Sequence, residues 1–210
     1  MKLKTRDAVK TKQTILQNAK YLFSEKGFDA TSINEIAAAS HINKAMLYYY
    51  FKSKKDIYEV VVKEILSSIY KEITISEKCC DSVVGDLRAF ISIYTRFANK
   101  HPYFPALLLR ELSNSGKNLS ESVLAGCIQL FRLFSDILKR GEDEGVFKDV
   151  KPMVIFCMVI STVNILVVTK PLRQIAAKKA DDLDTSSDIS VNEISEYIFK
   201  KIILMLGVAL

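Results

Sequence analysis

The chain has 210 residues, of which 49% are hydrophobic and 26% charged, with only seven glycines and four prolines. This composition excludes collagen-like, low-complexity and intrinsically disordered chains, and the length allows a buried core in one large domain or two smaller ones. Few helix breakers and little alternation of apolar with polar residues predict an all-α fold.

The whole net charge of +6 comes from the first quarter of the chain. Residues 1–56 contain 11 basic and 5 acidic residues, whereas the remainder is balanced at 19 of each. A basic segment on a neutral body indicates contact with a polyanion. A lysine-rich terminus that merely aids solubility would show the same asymmetry, so the charge alone leaves both interpretations open.

Helical periodicity predicts nine helices and no strand. Gly27 ends the first helix, Ser32 with Glu35 forms a capping box for the second, and Asn43 is a favourable N-cap for the third. The expected first helix covers residues 9–26, and two short helices start at Ser32 and at Asn43. The others cover residues 53 to about 77, Asp81 or Ser82 to Lys100, 104 to about 115, 120–144, 152–169 and 191–206. Residues 178–190 are expected to form a polar loop.

The segment 152–169 contains no charged side chain and approaches the ~20 residues of a membrane span. Ser161, Thr162 and Asn164 lie in its middle, which favours a helix buried inside the protein or at a dimer interface. We therefore expect no membrane association.

The four cysteines, Cys79, Cys80, Cys127 and Cys157, fit no metal-binding or redox spacing. Residues 1–14 lack the apolar core of a signal peptide, so a cytoplasmic location with free thiols is expected. A thiol switch at Cys79 or Cys80 is the less favoured alternative. No motif predicts a metal, a cofactor or a catalytic nucleophile, and we expect no enzyme activity.

Two short helices joined by a short turn lie in the basic part of the chain, as in a helix-turn-helix motif. The N-terminus of the first offers N–H groups to phosphate, and the second would place small, polar and tyrosine side chains in the major groove. Lysines beyond it suit flanking phosphates. The predicted DNA-binding residues are Thr31, Ser32, Asn43, Lys44, Ala45, Met46, Tyr48, Tyr49, Lys52 and Lys54.

Residues 31–58, TSINEIAAASHINKAMLYYYFKSKKDIY, resemble the DNA-binding signature of the TetR family of regulators. The shared pattern combines Ile-Ala in the first helix with Leu-Tyr-x-(Tyr/His)-Phe-x-(Ser/Asn)-Lys in and after the second. His41 stands where the family often has glycine, and Ala45-Met46 replaces the frequent Gly-Thr. A histidine can adopt the left-handed conformation of such a turn at some cost.

The resemblance implies a nine-helix TetR-like architecture with a DNA-binding domain at residues 1–56 and a ligand-binding and dimerisation domain at 57–210. It also implies a homodimer through the two C-terminal long helices, which would account for the uncharged segment. Two recognition helices about one DNA turn apart, ~34–36 Å, would then read a palindromic operator in double-stranded DNA.

A pocket for a small, largely apolar effector is expected in the second domain. Its candidate residues are Phe90, Tyr94, Phe97, Phe104, Leu108, Glu111, Phe131, Phe134 and Asn164. Helical spacing makes plain core packing the alternative for the aromatic residues. For Glu111 a salt bridge to a nearby arginine or lysine, for instance Arg110 or Arg96, is favoured over a ligand contact. Asn164 suits either a pocket donor or a polar pair across the dimer.

These features predict a ligand-responsive transcriptional regulator. A repressor is favoured, and the sequence leaves open whether it activates instead. The alternative is a helical dimer that binds a small apolar molecule or a partner protein and touches DNA only incidentally. A true operator binder should prefer its site by ~10³-fold or more over random DNA, which distinguishes the two.

Overall fold

The computed structural model describes residues 2–77, 82–117, 120–180, 184–185 and 189–208. Within these ranges the chain forms ten α-helices and no β-strand, which confirms the all-α prediction. The helices are α1 (Lys2–Ala30), α2 (Ile33–Ala39), α3 (Lys44–Tyr50), α4 (Lys54–Glu77), α5 (Val83–Lys100), α6 (Tyr103–Ser113), α7 (Glu121–Asp143), α8 (Pro152–Val168), α9 (Lys170–Ala177) and α10 (Val191–Met205).

Helix α9 is the one that was not among the nine predicted helices. The backbone N–H of Thr169 donates to the Ile165 carbonyl and ends α8, and α9 starts at once with Pro171 in its first turn. Proline cannot donate a backbone hydrogen bond and disfavours a helical residue before it, so the helix breaks here. The two helices are bent by 57°, and among the described residues only this bent pair, and no single helix, has the length and apolar character of a membrane span.

Helix caps appear where the sequence predicts them. Ser32 and Glu35 form the capping box of α2, and Asn43 caps α3. Gly27 is in the left-handed region with φ 83° and interrupts α1, which begins at Lys2, earlier than predicted. A second capping box, Ser190 with Glu193, opens α10.

The described chain divides into two compact units, which we call unit 1 and unit 2. Unit 1 comprises Met1–Leu66 and Ala106–Gly126, and unit 2 comprises Ser67–Pro105 and Cys127–Leu210. The predicted domain boundary between residues 56 and 57 stays a prediction.

Each unit has its own buried apolar side chains. In unit 1 the rings of Phe23 and Phe28 from α1 and Tyr58 from α4 pack on one another. In unit 2, α5 packs against α10 and α8. Cys127 is half-buried and Cys157 exposed, both as free thiols, whereas Cys79 and Cys80 lie outside the described residues.

Candidate nucleic-acid interface

The turn between α2 and α3 is held by backbone hydrogen bonds at a left-handed residue. His41 has φ 55°, and its N–H donates to the Ala38 carbonyl at 3.0 Å. The next N–H, of Ile42, donates to the Ala37 carbonyl at 3.0 Å. His41 thus occupies the position that often holds glycine, and the backbone bonds offset the strain of a side chain in this region.

Helix α1 fixes the same turn from outside the motif. The Asn18 side-chain amide donates to the Ala39 carbonyl at 3.0 Å and to the Ser40 hydroxyl at 3.3 Å. Ile36 and Leu47 are fully buried and anchor α2 and α3 to the core of unit 1. The direction of α3 is therefore set by packing and hydrogen bonds together.

Helix α3 exposes almost its whole first two turns. The Asn43 side chain accepts from the Met46 N–H at 2.7 Å, which caps the helix. Met46 and Tyr48 are about half exposed and Tyr49 is 81% exposed, whereas Leu47 is the buried residue of α3. Asn43, Lys44 and Ala45 are exposed as well, so all six predicted residues in α3 and its cap are exposed.

A cation and a ring meet on this surface. The Lys44 ammonium lies 6.0 Å from the centre of the Tyr48 ring. Tyr49 packs edge-on against Tyr50 at 5.2 Å between ring centres. These contacts give the long side chains of α3 a preferred orientation, which lowers the entropy lost when they contact DNA.

The start of α2 carries an ionised carboxylate. The Glu35 side chain accepts from the Ser32 N–H at 2.8 Å and pairs with Lys26 at 2.5 Å. The hydrogen bond from Lys26, followed by those from Ser32, lowers the pKa of Glu35 to about 2. Ser32 is exposed, but the capping box already uses its hydroxyl and its N–H.

Two of the predicted contact residues serve the interior of unit 1. Thr31 is buried, and its hydroxyl donates to the Gly27 carbonyl at 2.7 Å. The Lys54 ammonium donates to the Phe28 carbonyl at 2.7 Å and lies 4.3 Å from the Phe28 ring centre. Both side chains stabilise the end of α1, whereas Lys52 is exposed.

Helix α6 contacts the end of α1 through Arg110, which the sequence does not predict. The Arg110 guanidinium donates to the carbonyls of Ser24 at 3.1 Å and Glu25 at 2.5 Å. These carbonyls lie near the end of α1, just before Gly27, whose backbone is not helical. Nothing in the local sequence around Arg110 signals this contact, because its partners are backbone atoms 85 and 86 residues away.

Glu111 is buried in unit 1, and among the described residues it makes no ion pair with Arg110 or Arg96. It lies close to Tyr58, and both Glu111 Oε2 and the Tyr58 hydroxyl are buried without a hydrogen-bond partner in the described structure. Burial raises the pKa of Tyr58, and the Glu111 carboxylate raises it further. No ion pair of Glu111 with a lysine or arginine is present among the described residues, and the favoured salt bridge stays a prediction.

Seven of the nine candidate pocket residues belong to unit 2. Their rings pack on one another: Phe90 on Phe134 at 4.8 Å, and Tyr94 and Phe97 on Phe104 at 6.4 and 5.9 Å. Phe131 is half-buried and contacts Phe156. The other two, Leu108 and Glu111, belong to unit 1, and the role of the set as pocket walls stays a prediction.

Asn164 forms a hydrogen bond within its own chain. The Tyr94 hydroxyl donates to Asn164 Oδ1 at 2.8 Å, and both side chains are buried. The bond joins α5 to α8 in the interior of unit 2. Burial raises the pKa of Tyr94, so its phenol stays a neutral donor.

Unit 2 also holds a cavity of about 470 Å³, here called the α8–α10 cavity. None of the nine candidate pocket residues lines it. Its lining residues are Thr95, Asn99, Val163, Leu166, Val167, Lys170, Arg173, Gln174, Ile189, Ser190, Val191 and Ile194. No group of three or more His, Cys, Asp or Glu within the described ranges is placed to hold a metal ion.

Comparison with known proteins identifies the exposed motif. Residues 15–61 match the model of bacterial regulatory proteins of the tetR family, and residues 84–184 match a tetracyclin repressor-like C-terminal domain. The biofilm operon icaADBC negative transcriptional regulator IcaR of Staphylococcus aureus is 31% identical over 124 residues, covering 53% of this chain and 67% of IcaR. The chain belongs to the TetR family of transcriptional regulators.

Solved structures of other proteins share the fold of most of this chain. A tetR-family regulatory protein from Rhodococcus RHA1 matches with a TM-score of 0.76 at 18% identity, covering 95% of this chain and 98% of that protein. FadR from Bacillus subtilis, solved in complex with stearoyl-CoA, matches with a TM-score of 0.72 at 18% identity, covering 92% and 98%. At these identities the likeness concerns the fold.

Proposed function

We propose that this TetR-family regulator is a homodimeric repressor that binds a palindromic operator through α3 and leaves it when a small molecule binds its C-terminal domain. The observation that carries the proposal is the surface of α3, on which Lys44, Tyr48 and Tyr49 are exposed while Leu47 is buried in the core of unit 1. We place this activity in the cytoplasm.

The chemistry of α3 suits the major groove. Lysine donates to guanine or to phosphate, tyrosine hydroxyls reach phosphates and base edges, and the Ala45 and Met46 side chains can contact thymine methyl groups. The surplus of positive charge in residues 1–56 supplies attraction that does not depend on sequence. Because Thr31 and Lys54 are engaged internally and the capping box uses the hydroxyl and the N–H of Ser32, we assign base contacts to α3 and phosphate contacts to Lys52.

A repressor role is supported by the likeness to IcaR, which is described as a negative transcriptional regulator. An effector is supported by FadR, whose structure contains stearoyl-CoA. To release DNA, the effector must bind the DNA-incompatible state more tightly than the operator-bound state, by ~10⁴-fold for a nearly complete switch.

The first experiment is a selection of bound fragments from randomised DNA with the purified full chain at near-physiological salt. Recovery of a palindrome with two half-sites supports the proposal. Equal, salt-sensitive retention of all sequences by a folded dimer contradicts it and favours the helical dimer with incidental DNA contact.

The Lys44→Ala variant tests the contact surface on the selected operator. We expect roughly a tenfold or greater loss of affinity, because a base or phosphate contact from α3 contributes about 1–3 kcal/mol. Lys63→Ala removes the same charge from an exposed position of α4 and serves as the matched control. Equal losses in the two variants would assign the effect to overall charge.

A further inference from the structure

The first turn of α3 presents an apolar edge to solvent, formed by Ala45 and Met46. Ala45 is exposed, and 45% of the Met46 surface is accessible, whereas Leu47 is the buried residue of this helix. Neither side chain is therefore needed to anchor α3 to unit 1. Exposed apolar surface gains free energy when a partner removes it from water, provided that the partner is apolar at the point of contact.

The buried residue Leu47 determines which side chains face away from the core of unit 1. Leu47 is fully buried, and in a helix of 3.6 residues per turn the opposite side holds Ala45 and Tyr49, one turn apart. Lys44 lies to one side of this line and Met46 to the other. A recognition helix contacts base edges with its N-terminal residues, which places Ala45 and Met46 at the bases.

Few side chains of α3 and its cap can read a base through paired hydrogen bonds. Residues 43–50 contain no arginine, glutamine, aspartate or glutamate. Asparagine reads adenine with its amide oxygen and nitrogen together. The Oδ1 atom of Asn43, however, accepts the Met46 N–H at 2.7 Å and is directed at the helix backbone. A paired contact of Asn43 with adenine therefore competes with the cap of α3.

Lys44 is the cation of α3, and its ammonium lies 6.0 Å from the centre of the Tyr48 ring. A lysine donates either to guanine or to a phosphate, and a phosphate contact carries no direct sequence information. The apolar edge is consequently the other source of base recognition in the first turn.

Thymine is the base that offers an apolar group to such an edge, because its C5-methyl group projects into the major groove. We infer that each operator half-site carries a thymine whose 5-methyl group packs against Ala45 and Met46. The flexible thioether chain of Met46 adapts to the methyl group, and the Ala45 methyl supplies the second contact. The inference rests on the proposed function and deepens it, since it names the base that the same surface reads.

The test replaces the thymines of the selected operator one at a time by deoxyuridine, which pairs identically and lacks only the methyl group. Equilibrium binding of the full chain is then measured at one salt concentration. At the contacted thymine we expect a loss of about fourfold in affinity for each half-site, the value of one buried methyl group. Thymines outside the half-sites should tolerate the replacement.

The Met46→Ala variant links the methyl group to the protein. It should bind the thymine operator more weakly than the wild type and lose most of the sensitivity to deoxyuridine, because the two changes remove the same contact. Alanine is the best helix former and Met46 is not buried, so α3 should stay folded. Leu124→Ala truncates an apolar residue of α7 that is 51% exposed and, as the matched control, should keep the full sensitivity.

A second variant, Ala45→Gly, removes the other proposed contact. Glycine weakens the helix, but this cost affects the thymine and deoxyuridine operators alike, so the reduced sensitivity to deoxyuridine isolates the methyl contact.

Half-sites without thymine, or half-sites in which no thymine is sensitive to the replacement, would overturn the inference while leaving the proposed function intact. Undiminished sensitivity in both Met46→Ala and Ala45→Gly would overturn it as well, because another residue then contacts the methyl group. An equal reduction in Leu124→Ala would have the same consequence. If randomised DNA yields no operator, the proposed function fails, and this inference fails with it.

Discussion

At the scale of single residues, two buried tyrosines differ in whether their hydroxyl groups form a hydrogen bond, which determines what each hydroxyl contributes to the free energy of unfolding. Tyr94 donates to Asn164, whereas the Tyr58 hydroxyl has no hydrogen-bond partner in the described structure. Both side chains are fully buried. Their rings therefore contribute similar apolar burial, and the difference between them lies in the polar atom.

Replacing each tyrosine by phenylalanine separates these effects. Tyr94→Phe leaves Asn164 Oδ1 buried without its donor, so we expect the free energy of unfolding to fall by about 1–3 kcal/mol. Tyr58→Phe removes an unpaired hydroxyl and should cost less than Tyr94→Phe. Urea unfolding at neutral pH and one fixed protein concentration measures both. An equal loss in Tyr58→Phe would show that Tyr58 and Glu111 form a stabilising bond.

At the scale of helices, the start and end signals were largely predictable from sequence. Ser32 with Glu35 and Asn43 cap helices as expected, because a cap depends on residues within one turn. Helix α9 is not predicted because Pro171 is the one helix breaker in the sequence between α8 and α9. Proline also suits the first turn of a helix, so it does not by itself indicate a new one. Local sequence patterns do not distinguish one bent helix from two consecutive helices.

Contacts between distant segments were the part of the site that sequence did not predict. The bond of Lys54 to the Phe28 carbonyl and those of Arg110 to the α1 carbonyls join segments far apart in the chain. Their acceptors are backbone atoms, which carry no residue-specific signal. The exposed face of α3 was predictable because it follows from the spacing of buried residues within one helix.

A close contact within unit 2 depends on a glycine near the C-terminal end of α7. A methyl group at Gly141 would overlap the Phe147 ring, whereas one at Gly126 would meet only the flexible end of Leu66 at 3.0 Å. Both glycines lie in α7, so alanine at either position gains helix propensity of about 1 kcal/mol. Only Gly141 has a rigid ring against it.

We expect Gly141→Ala to lower the free energy of unfolding by up to about 2 kcal/mol, because overpacking costs about 1–3 kcal/mol and the propensity gain offsets about 1 kcal/mol of it. Gly126→Ala is the matched control and should change stability less. Thermal unfolding followed by far-ultraviolet circular dichroism compares them. A Gly141→Ala variant as stable as the wild type would mean that Phe147 adopts another rotamer at little cost.

At the scale of the whole molecule, the apolar surface of the C-terminal helices is the feature that a monomer does not explain. Side chains about 40–65% exposed follow one another along α8, α9 and α10: Met153, Val154, Met158, Ile165, Leu172, Ile175, Tyr197, Leu204 and Met205. Apolar patches of this extent mark interaction sites in soluble proteins. We assign the faces of α8 and α10 to a second copy of the chain, as the homodimer of the proposed function requires.

The double variant Met158→Glu/Ile165→Glu tests this assignment, because two carboxylates per subunit at the centre of a desolvated interface oppose association. We expect the variant to sediment as a monomer at concentrations where the wild type is a dimer, with unchanged helical content. Leu124→Glu places the same kind of charge on a similarly exposed residue of α7, 51% against 48% for Ile165, and should remain dimeric.

On a palindromic operator the monomer loses the gain from linking two recognition helices, a factor of ~10²–10⁴, while its affinity for a single half-site changes little. A double variant that stays dimeric would move the interface away from α8, and one that dissociates yet holds the palindrome as tightly would show that each unit binds DNA independently.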